Sequence, residues 1–168
     1  MKYKLPFVLI VGLMMINLLS NSCKKEQRNT LPVLLTTGGA WQLASVQYTI
    51  LVGDTVKLDT ALNIDCDKTQ IFSFTADNNC TYTNFNCKAQ PTARGRWQLS
   101  QNRLFLNSTI VCQDTTAAGS SKPFENAQLV NLGQYSMVLR TGDLINYNNG
   151  ARRKVIRYGF VRQKAAAQ

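Results

Sequence analysis

Alternation of apolar and polar residues is the feature that most constrains the fold of this chain. It begins at Trp41 and recurs in short segments as far as Val161, with many β-branched and aromatic residues. A period of two places alternate side chains on opposite faces of a β-strand, whereas a helix would need a period of about 3.6. The first segment, WQLASVQYTILV, ends at Val52 and is followed by the turn residues Gly53 and Asp54. The chain is therefore predicted to be all-β.

Short strands follow one another with no helical pattern between them. After the first segment, the predicted strands are TVKL (55–58), QIFSFT (70–75), CTYTNF (80–85), ARGRWQLS (93–100), RLFLNS (103–108), AQLVNL (127–132), YSMVLRT (135–141) and KVIRYGFV (154–161). Such a meander predicts an antiparallel up-and-down barrel of about eight strands, because closure removes the free edges. A β-sandwich is the alternative architecture.

A barrel of about eight strands has an interior that either fills with side chains or holds one small ligand. Trp41 and Trp97 open two similar WQL segments, and each offers apolar area with one indole donor. With Phe72, Tyr82 and Tyr158, they are the candidate ligand-binding residues; the alternative is that the tryptophans belong to the core. The remaining core prediction comprises Phe72, Phe74, Leu99, Leu104 and Leu106.

The first 22 residues have the layout of a secretory signal peptide. Lys2 and Lys4 form a basic start, and an almost wholly apolar run extends from Leu5 to Ile16. A membrane-spanning helix needs roughly 20 apolar residues, and this run is shorter. The pattern is typical of an export signal that is removed from the mature protein.

Cys23 lies directly after this leader, in the stretch LLSNSCKK. The stretch resembles the lipobox of bacterial lipoproteins, whose cysteine is acylated and becomes the new N-terminus; an ordinary leader with an incidental cysteine is the alternative. The resemblance implies acyl chains such as palmitate on Cys23 and a lipidated tether over residues 23–38. It also implies the outer membrane, because Lys24 stands where Asp would favour inner-membrane retention. Residues 39–164 are then the barrel domain, and 165–168 a disordered tail.

The residue types exclude several classes of chemistry. The chain contains no histidine, which removes His-based acid-base catalysis, the Ser-His and Cys-His nucleophile pairs and most zinc or copper sites. No cysteines have the CxxC spacing of a redox motif or a zinc knuckle. We therefore expect no enzyme activity, no metal and no cofactor.

Positive charge is concentrated at the end of the chain. The formal net charge is +10, and RRKVIRYGFVRQK (152–164) holds six cations and no acid. Such a segment could contact phospholipid head groups or another anionic component of the cell envelope. The alternative is a solvated strand face that only aids solubility. Because the chain is predicted to be exported, nucleic acid is not expected as a partner.

Three segments carry a resemblance to a known family, namely LLTTGGAWQLAS (34–45), CDKTQIFSFTADNNCTYT (66–83) and RGRWQLSQNRLFL (94–106). Together with Cys87, they resemble the lipocalin-like domain of secreted bacterial lipoproteins. That family has a Trp-x-Leu strand, a Cys-x-Lys-Asp segment, a Phe strand, a second cysteine and a Gly-x-Trp-x-Leu strand. The resemblance implies an up-and-down barrel on a lipid tether, and it implies no catalytic residue.

The same resemblance makes Cys66 and Cys87 the expected disulfide. A hairpin of the third and fourth strands agrees, because the start of one strand lies beside the end of the other. Cys80 and Cys112 remain as a second, less certain pair in an oxidising compartment. A bridge between them would require the long loop at 109–124 to fold back over the barrel.

Two functions remain open at this point. In the first, a lipid-anchored lipocalin-like protein binds a small apolar or amphipathic ligand, or a partner, at the barrel mouth. In the second, side chains plug the barrel, and a structural or interaction module contacts anionic envelope components through its basic C-terminal strand. The barrel interior separates them, because small-molecule sites commonly have about 300–1,000 Å³.

Overall fold

The structure, a computed structural model, describes residues 27–62, 65–113, 120–144 and 150–163 of the chain. The chain divides into two compact units, 1–31 and 32–168, and the strands belong to the second. The predicted signal peptide, the predicted lipidation site Cys23 and the predicted tail at 165–168 lie outside the described residues.

One α-helix and eleven strands are present in the described residues. The helix α1 covers Gln27–Thr36, and a single 3-10 turn covers Phe85–Cys87. In chain order, the strands are β1 (Trp41–Val52), β2 (Thr55–Ala61), β3 (Ile71–Phe74), β4 (Asn79–Thr83), β5 (Ala93–Leu99), β6 (Phe105–Ser108), β7 (Cys112–Gln113), β8 (Ser120–Ser121), β9 (Ala127–Leu132), β10 (Ser136–Gly142) and β11 (Arg152–Arg162).

Eight of these strands close into an antiparallel barrel. Their order is β1, β3, β4, β5, β6, β9, β10 and β11, and β11 then pairs with β1. The closing pair runs from Trp41 opposite Arg162 to Val52 opposite Arg152. The predicted up-and-down, lipocalin-like barrel is confirmed. The sandwich alternative is wrong, because its two sheets would leave the edges of β1 and β11 unjoined.

β2 lies outside the barrel order and lengthens the sheet on one side. β1 pairs with β3 only at Trp41 and Gln42, and from Gln47 onwards it pairs with β2 instead. On its other side, β1 stays paired with β11 as far as Val52, and β10 continues beside β11 as far as Gly142. We call the sheet formed by β10, β11 and the later part of β1 with β2 the extension sheet. Every residue of β2 is exposed.

The barrel interior is filled by one continuous core. Side chains alternate along the strands, as in β10, where Met137, Leu139 and Thr141 are buried. The largest fully buried side chains include Trp41, Tyr82, Phe72, Phe124 and Phe160. Since aromatic side chains bury the most area per residue, this cluster dominates the stability of the barrel.

Phe124 reaches the core from the segment before β9 and not from a barrel strand. Its carbonyl accepts a hydrogen bond from the Ser108 N–H at 2.8 Å, which ties the segment to the end of β6. The chain leaving β6 also crosses β5 closely at Gly95, where a Cβ atom would lie 2.7 Å from the Ile110 nitrogen. Only glycine admits this approach without a shift of the neighbouring backbone.

Two local features differ from the sequence expectations. Part of the segment predicted as a tether forms α1, and Leu35 in its last turn is fully buried in the barrel core. Leu104, predicted as core, is 53% exposed. It lies in the turn before β6, where its N–H donates to Asn102 Oδ1 at 3.1 Å. Of the other core predictions, Phe72, Phe74 and Leu106 are buried and Leu99 is partly buried.

Candidate functional site

The five predicted ligand-binding residues all lie in the packed core. Exposure is 0% for Trp41 and Phe72, 1% for Tyr82, 4% for Tyr158 and 5% for Trp97. Phe72 and Tyr82 contact each other directly, with ring centroids 5.3 Å apart. Trp97 joins the same cluster through Phe74, at a centroid distance of 5.7 Å. The structure thus brings these residues together, and their contacts are with other aromatic rings of the protein core.

Both tryptophan donors already have backbone partners. Trp41 Nε1 donates to the Leu35 carbonyl, and Trp97 Nε1 donates to the Thr75 carbonyl, each at 3.1 Å. An indole donor gives specificity to a ligand site only when the ligand can reach it. This geometry fits the alternative in which the tryptophans belong to the core.

Phe124 occupies the centre of this aromatic cluster. Its ring centroid lies 4.9 Å from that of Phe72, 5.0 Å from that of Tyr158 and 5.5 Å from that of Tyr82. Three of the five predicted ligand-binding side chains therefore contact this one ring. Ligand binding by these residues stays a prediction, and it would require Phe124 to move out of the barrel.

Cys66 and Cys87 form a disulfide, with Cα atoms 5.6 Å apart. Cys66 lies before β3, and Cys87 ends the 3-10 turn after β4, so the bond joins the two ends of this hairpin. Gln70 Nε2 lies 3.5 Å from Cys66 Sγ and 3.7 Å from Cys87 Sγ. The pair is the one that the lipocalin-like resemblance implied.

Cys80 and Cys112 are separate buried thiols, which differs from the second disulfide that the sequence left open. Cys80 Sγ instead lies 3.2 Å from Ser108 Oγ. Burial, and then the proximity of Cys80, raises the pKa of the Cys112 thiol to about 12. Because the thiolate is the reactive form, both side chains act as small core residues near neutral pH. The start of the long loop nevertheless packs against the barrel core, since Ile110 and Cys112 are fully buried.

Arg162 has a structural role that its place in a basic segment did not reveal. Its guanidinium lies 3.9 Å from the centroid of the Trp41 ring. It also donates to the carbonyls of Leu34 and Thr37 at the end of α1. A cation at a helix C-terminus binds carbonyls that have no partner within the helix. Arg162 therefore closes one end of the barrel, and burial lowers its pKa.

The other described cations of β11 divide between two faces. Tyr158 and Phe160 point into the barrel, so alternation places Arg152 and Lys154 on the same side as these rings, farther along the strand. Arg153 and Arg157 lie on the opposite, outer face, and Arg157 is exposed. The basic segment is therefore not one cationic stripe.

The outer face of the extension sheet forms a concavity of about 500 Å³. Its lining includes Gln47, Arg157 and Arg140. These three belong to one row of paired residues, in the order Ala61, Gln47, Arg157, Arg140 and Gln128 from β2 to β9. The neighbouring apolar lining includes Leu51, Val56, Leu144 and Val155. This site has no local signal in the sequence, because the residues of the row come from five strands and only Arg157 belongs to the basic segment.

A membrane-spanning helix is not present among the described residues. Within the same residues, no three cysteine, aspartate or glutamate side chains come together as a possible metal site. Asp67, next to Cys66, lies 3.1 Å from Lys68 in an exposed ion pair.

No protein-family model matches the chain, and no curated protein matches it. One similar solved structure is the crystal structure of a DUF4847 family protein from Bacteroides vulgatus. The two chains are 14% identical, with a TM-score of 0.44, and the match covers 79% of this chain and 98% of that chain. What this chain does must therefore follow from its own residues.

Proposed function

We propose that the chain is a lipid-anchored outer-membrane protein whose plugged barrel serves as an interaction module for anionic components of the cell envelope. The observation that carries the proposal is the packing of Phe124 at the centre of the barrel. A ring in this place takes the volume that a small ligand would need. The outer surface is then left as the place for recognition.

The charge of β11 supports an anionic partner. Arg152 and Lys154 are exposed on one face of this strand and Arg157 on the other, and residues 152–163 contain no acid. Each Lys or Arg close to an anionic membrane surface contributes about 1 kcal/mol of binding. A lipid anchor at Cys23 would keep this strand close to the membrane and so raise its effective concentration.

The anchor is tested by the Cys23→Ser substitution. We expect the native protein in the membrane fraction and the Cys23→Ser protein in the soluble fraction, because acyl chains on this thiol supply the membrane affinity. Immunoblotting of fractionated cells measures both. Persistence of Cys23→Ser in the membrane fraction after a high-salt wash would contradict the lipid anchor.

The anionic contact is tested with vesicles and the soluble Cys23→Ser protein. We expect sedimentation with phosphatidylglycerol vesicles at low salt, little with phosphatidylcholine vesicles, and release at about 0.5 M salt. Replacing Arg152, Lys154 and Arg157 by Gln should weaken binding by about 3 kcal/mol, on the order of 100-fold. Removing exposed cations elsewhere, by Arg94→Gln with Arg96→Gln on β5, should have a smaller effect.

Either of two results would overturn the anionic contact. Equal binding to phosphatidylcholine and phosphatidylglycerol vesicles would show that negative charge on the vesicle does not cause the binding. Equal losses per removed cation, with three removed in the β11 variant and two in the β5 variant, would show that net charge, and not this strand, determines binding.

A further inference from the structure

We propose that the concavity on the outer face of the extension sheet binds a small anionic amphiphile, with its oxyanion head group between Arg140 and Arg157 and its apolar part on the neighbouring aliphatic side chains. The inference deepens the proposed function and rests on it, since it names the face and the chemical class of the anionic component.

The two arginines form an unfavourable pair in the protein alone. Arg140 lies directly opposite Arg157 in the β10–β11 register, and like charges in directly opposite positions are destabilising. The row that contains them carries no acid, because Ala61, Gln47 and Gln128 are neutral. An anion between the two guanidinium groups would remove the repulsion.

The arginines also differ in how they are held. Arg140 donates from Nε and Nη2 to Gln128 Oε1, at 3.0 and 2.6 Å, so a neutral acceptor orients it. The Arg157 side chain has no hydrogen bond or ion pair within the part of the chain that the structure describes. One guanidinium is thus fixed and the other is exposed. Guanidinium groups bind carboxylate and phosphate oxygens in a bidentate manner.

The three acids that line the concavity lie outside the Arg140–Arg157 pair, and each has another partner. Asp59 accepts hydrogen bonds from Gln47 Nε2 at 2.8 Å and from Thr49 Oγ1 at 3.0 Å. Asp143 Oδ2 accepts the Lys154 N–H at 2.9 Å. Asp54 lies 3.6 Å from Arg153 Nη2, at the hairpin end of the sheet. Arg140 and Arg157 are therefore the two cations of the concavity that lie opposite each other in a row without an acid.

Aliphatic side chains in the rest of the lining would contact the apolar part of the ligand. Leu51, Val56 and Val155 lie on the same face, and Val56 is 55% exposed. The concavity, at about 500 Å³, lies within the range of small-molecule sites. An alkyl chain covering these side chains would remove apolar surface from water. Guanidinium groups bind both phosphate and carboxylate, so an oxyanion is the shared chemistry of the head group.

The experiment uses octyl phosphate and octanoate, below their micelle concentrations, with the full-length Cys23→Ser protein after export. Titration calorimetry should detect binding of both ligands. Inorganic phosphate, which lacks the alkyl chain, and octyl glucoside, which lacks the charge, should each bind at least about tenfold more weakly. Comparison of the octyl phosphate and octanoate affinities identifies the preferred head group. Equal binding of inorganic phosphate would overturn the proposal that the ligand needs an apolar chain. Equal binding of octyl glucoside would overturn the proposal that the ligand needs a negative charge.

The site itself is tested by Arg140→Gln with Arg157→Gln. The double variant should lose octyl phosphate affinity on the order of 100-fold, the loss expected for two charge-assisted contacts. Arg94→Gln with Arg96→Gln on β5 removes the same charge and should leave the affinity within about threefold. Because Arg140 bonds to Gln128, the single Arg157→Gln variant is measured as well, and it should show at least a tenfold loss.

The outcomes separate this inference from the proposed function. Binding of the Cys23→Ser protein to anionic vesicles without binding of octyl phosphate or octanoate would overturn the amphiphile site alone. Equal losses in the β5 and outer-face variants would also overturn the site alone. Absence of binding to anionic vesicles would overturn the proposed function, whatever the octyl phosphate result.

Discussion

Phe124→Ala should lower the free energy of unfolding by about 3–5 kcal/mol, the range for truncating a buried phenylalanine. The ring is fully buried and contacts Phe72, Tyr82 and Tyr158, so its loss leaves a cavity that the closed barrel can only partly refill. Urea denaturation, followed by tryptophan fluorescence and circular dichroism, measures the change from the midpoint and the slope.

Tyr135→Ala is the matched control for this experiment. Tyr135 is also aromatic and is 71% exposed, so its truncation should change stability by no more than about 0.5 kcal/mol. Equal effects of the two substitutions would contradict the packing of Phe124 in the barrel, and with it the observation that carries the proposed function.

Loss of the Cys66–Cys87 bond should lower the free energy of unfolding by about 3 kcal/mol. The two cysteines are 21 residues apart in sequence, and closing a loop of this length restricts the unfolded chain by about that amount in the chain-entropy view. The double variant Cys66→Ser with Cys87→Ser, compared with the native protein by urea denaturation, measures the loss.

A thiol reductant supplies the control for the disulfide. It should destabilise the native protein to about the level of the double variant and leave the double variant unchanged, since Cys80 and Cys112 are already thiols. A native protein that is insensitive to reductant after full reduction would show that this bond adds no stability. A reductant-sensitive double variant would point to a second bond between Cys80 and Cys112.

The barrel could be predicted because each strand carries its own local signal. β1 covers the predicted residues from Trp41 to Val52, and the last predicted strand lies within β11. Alternation depends only on residues two positions apart, so it is visible without knowing which strand pairs with which. β5 and β6 likewise lie within the predicted segments 93–100 and 103–108.

The burial of Phe124 inside the barrel could not be predicted, because its cause is not local. Phe124 stands in a stretch of Ser, Thr, Lys and Pro without alternation, and nothing in that stretch indicates burial. Its place depends on the chain crossing at Gly95 and on the Ser108 hydrogen bond, both of which join distant positions. The role of Arg162 could not be predicted for the same reason, since its partners Leu34 and Thr37 lie more than 120 residues earlier.

The sequence by itself determined the class of fold and the exclusion of histidine chemistry, and it predicts an export signal with a lipid site at Cys23. These depend on local period, order and composition. Only the tertiary structure decided that the interior is filled and that Arg140 of β10 lies opposite Arg157 of β11. Register and loop placement determine these contacts, because a β-strand presents only alternate residues to each face and its partners can come from anywhere in the chain.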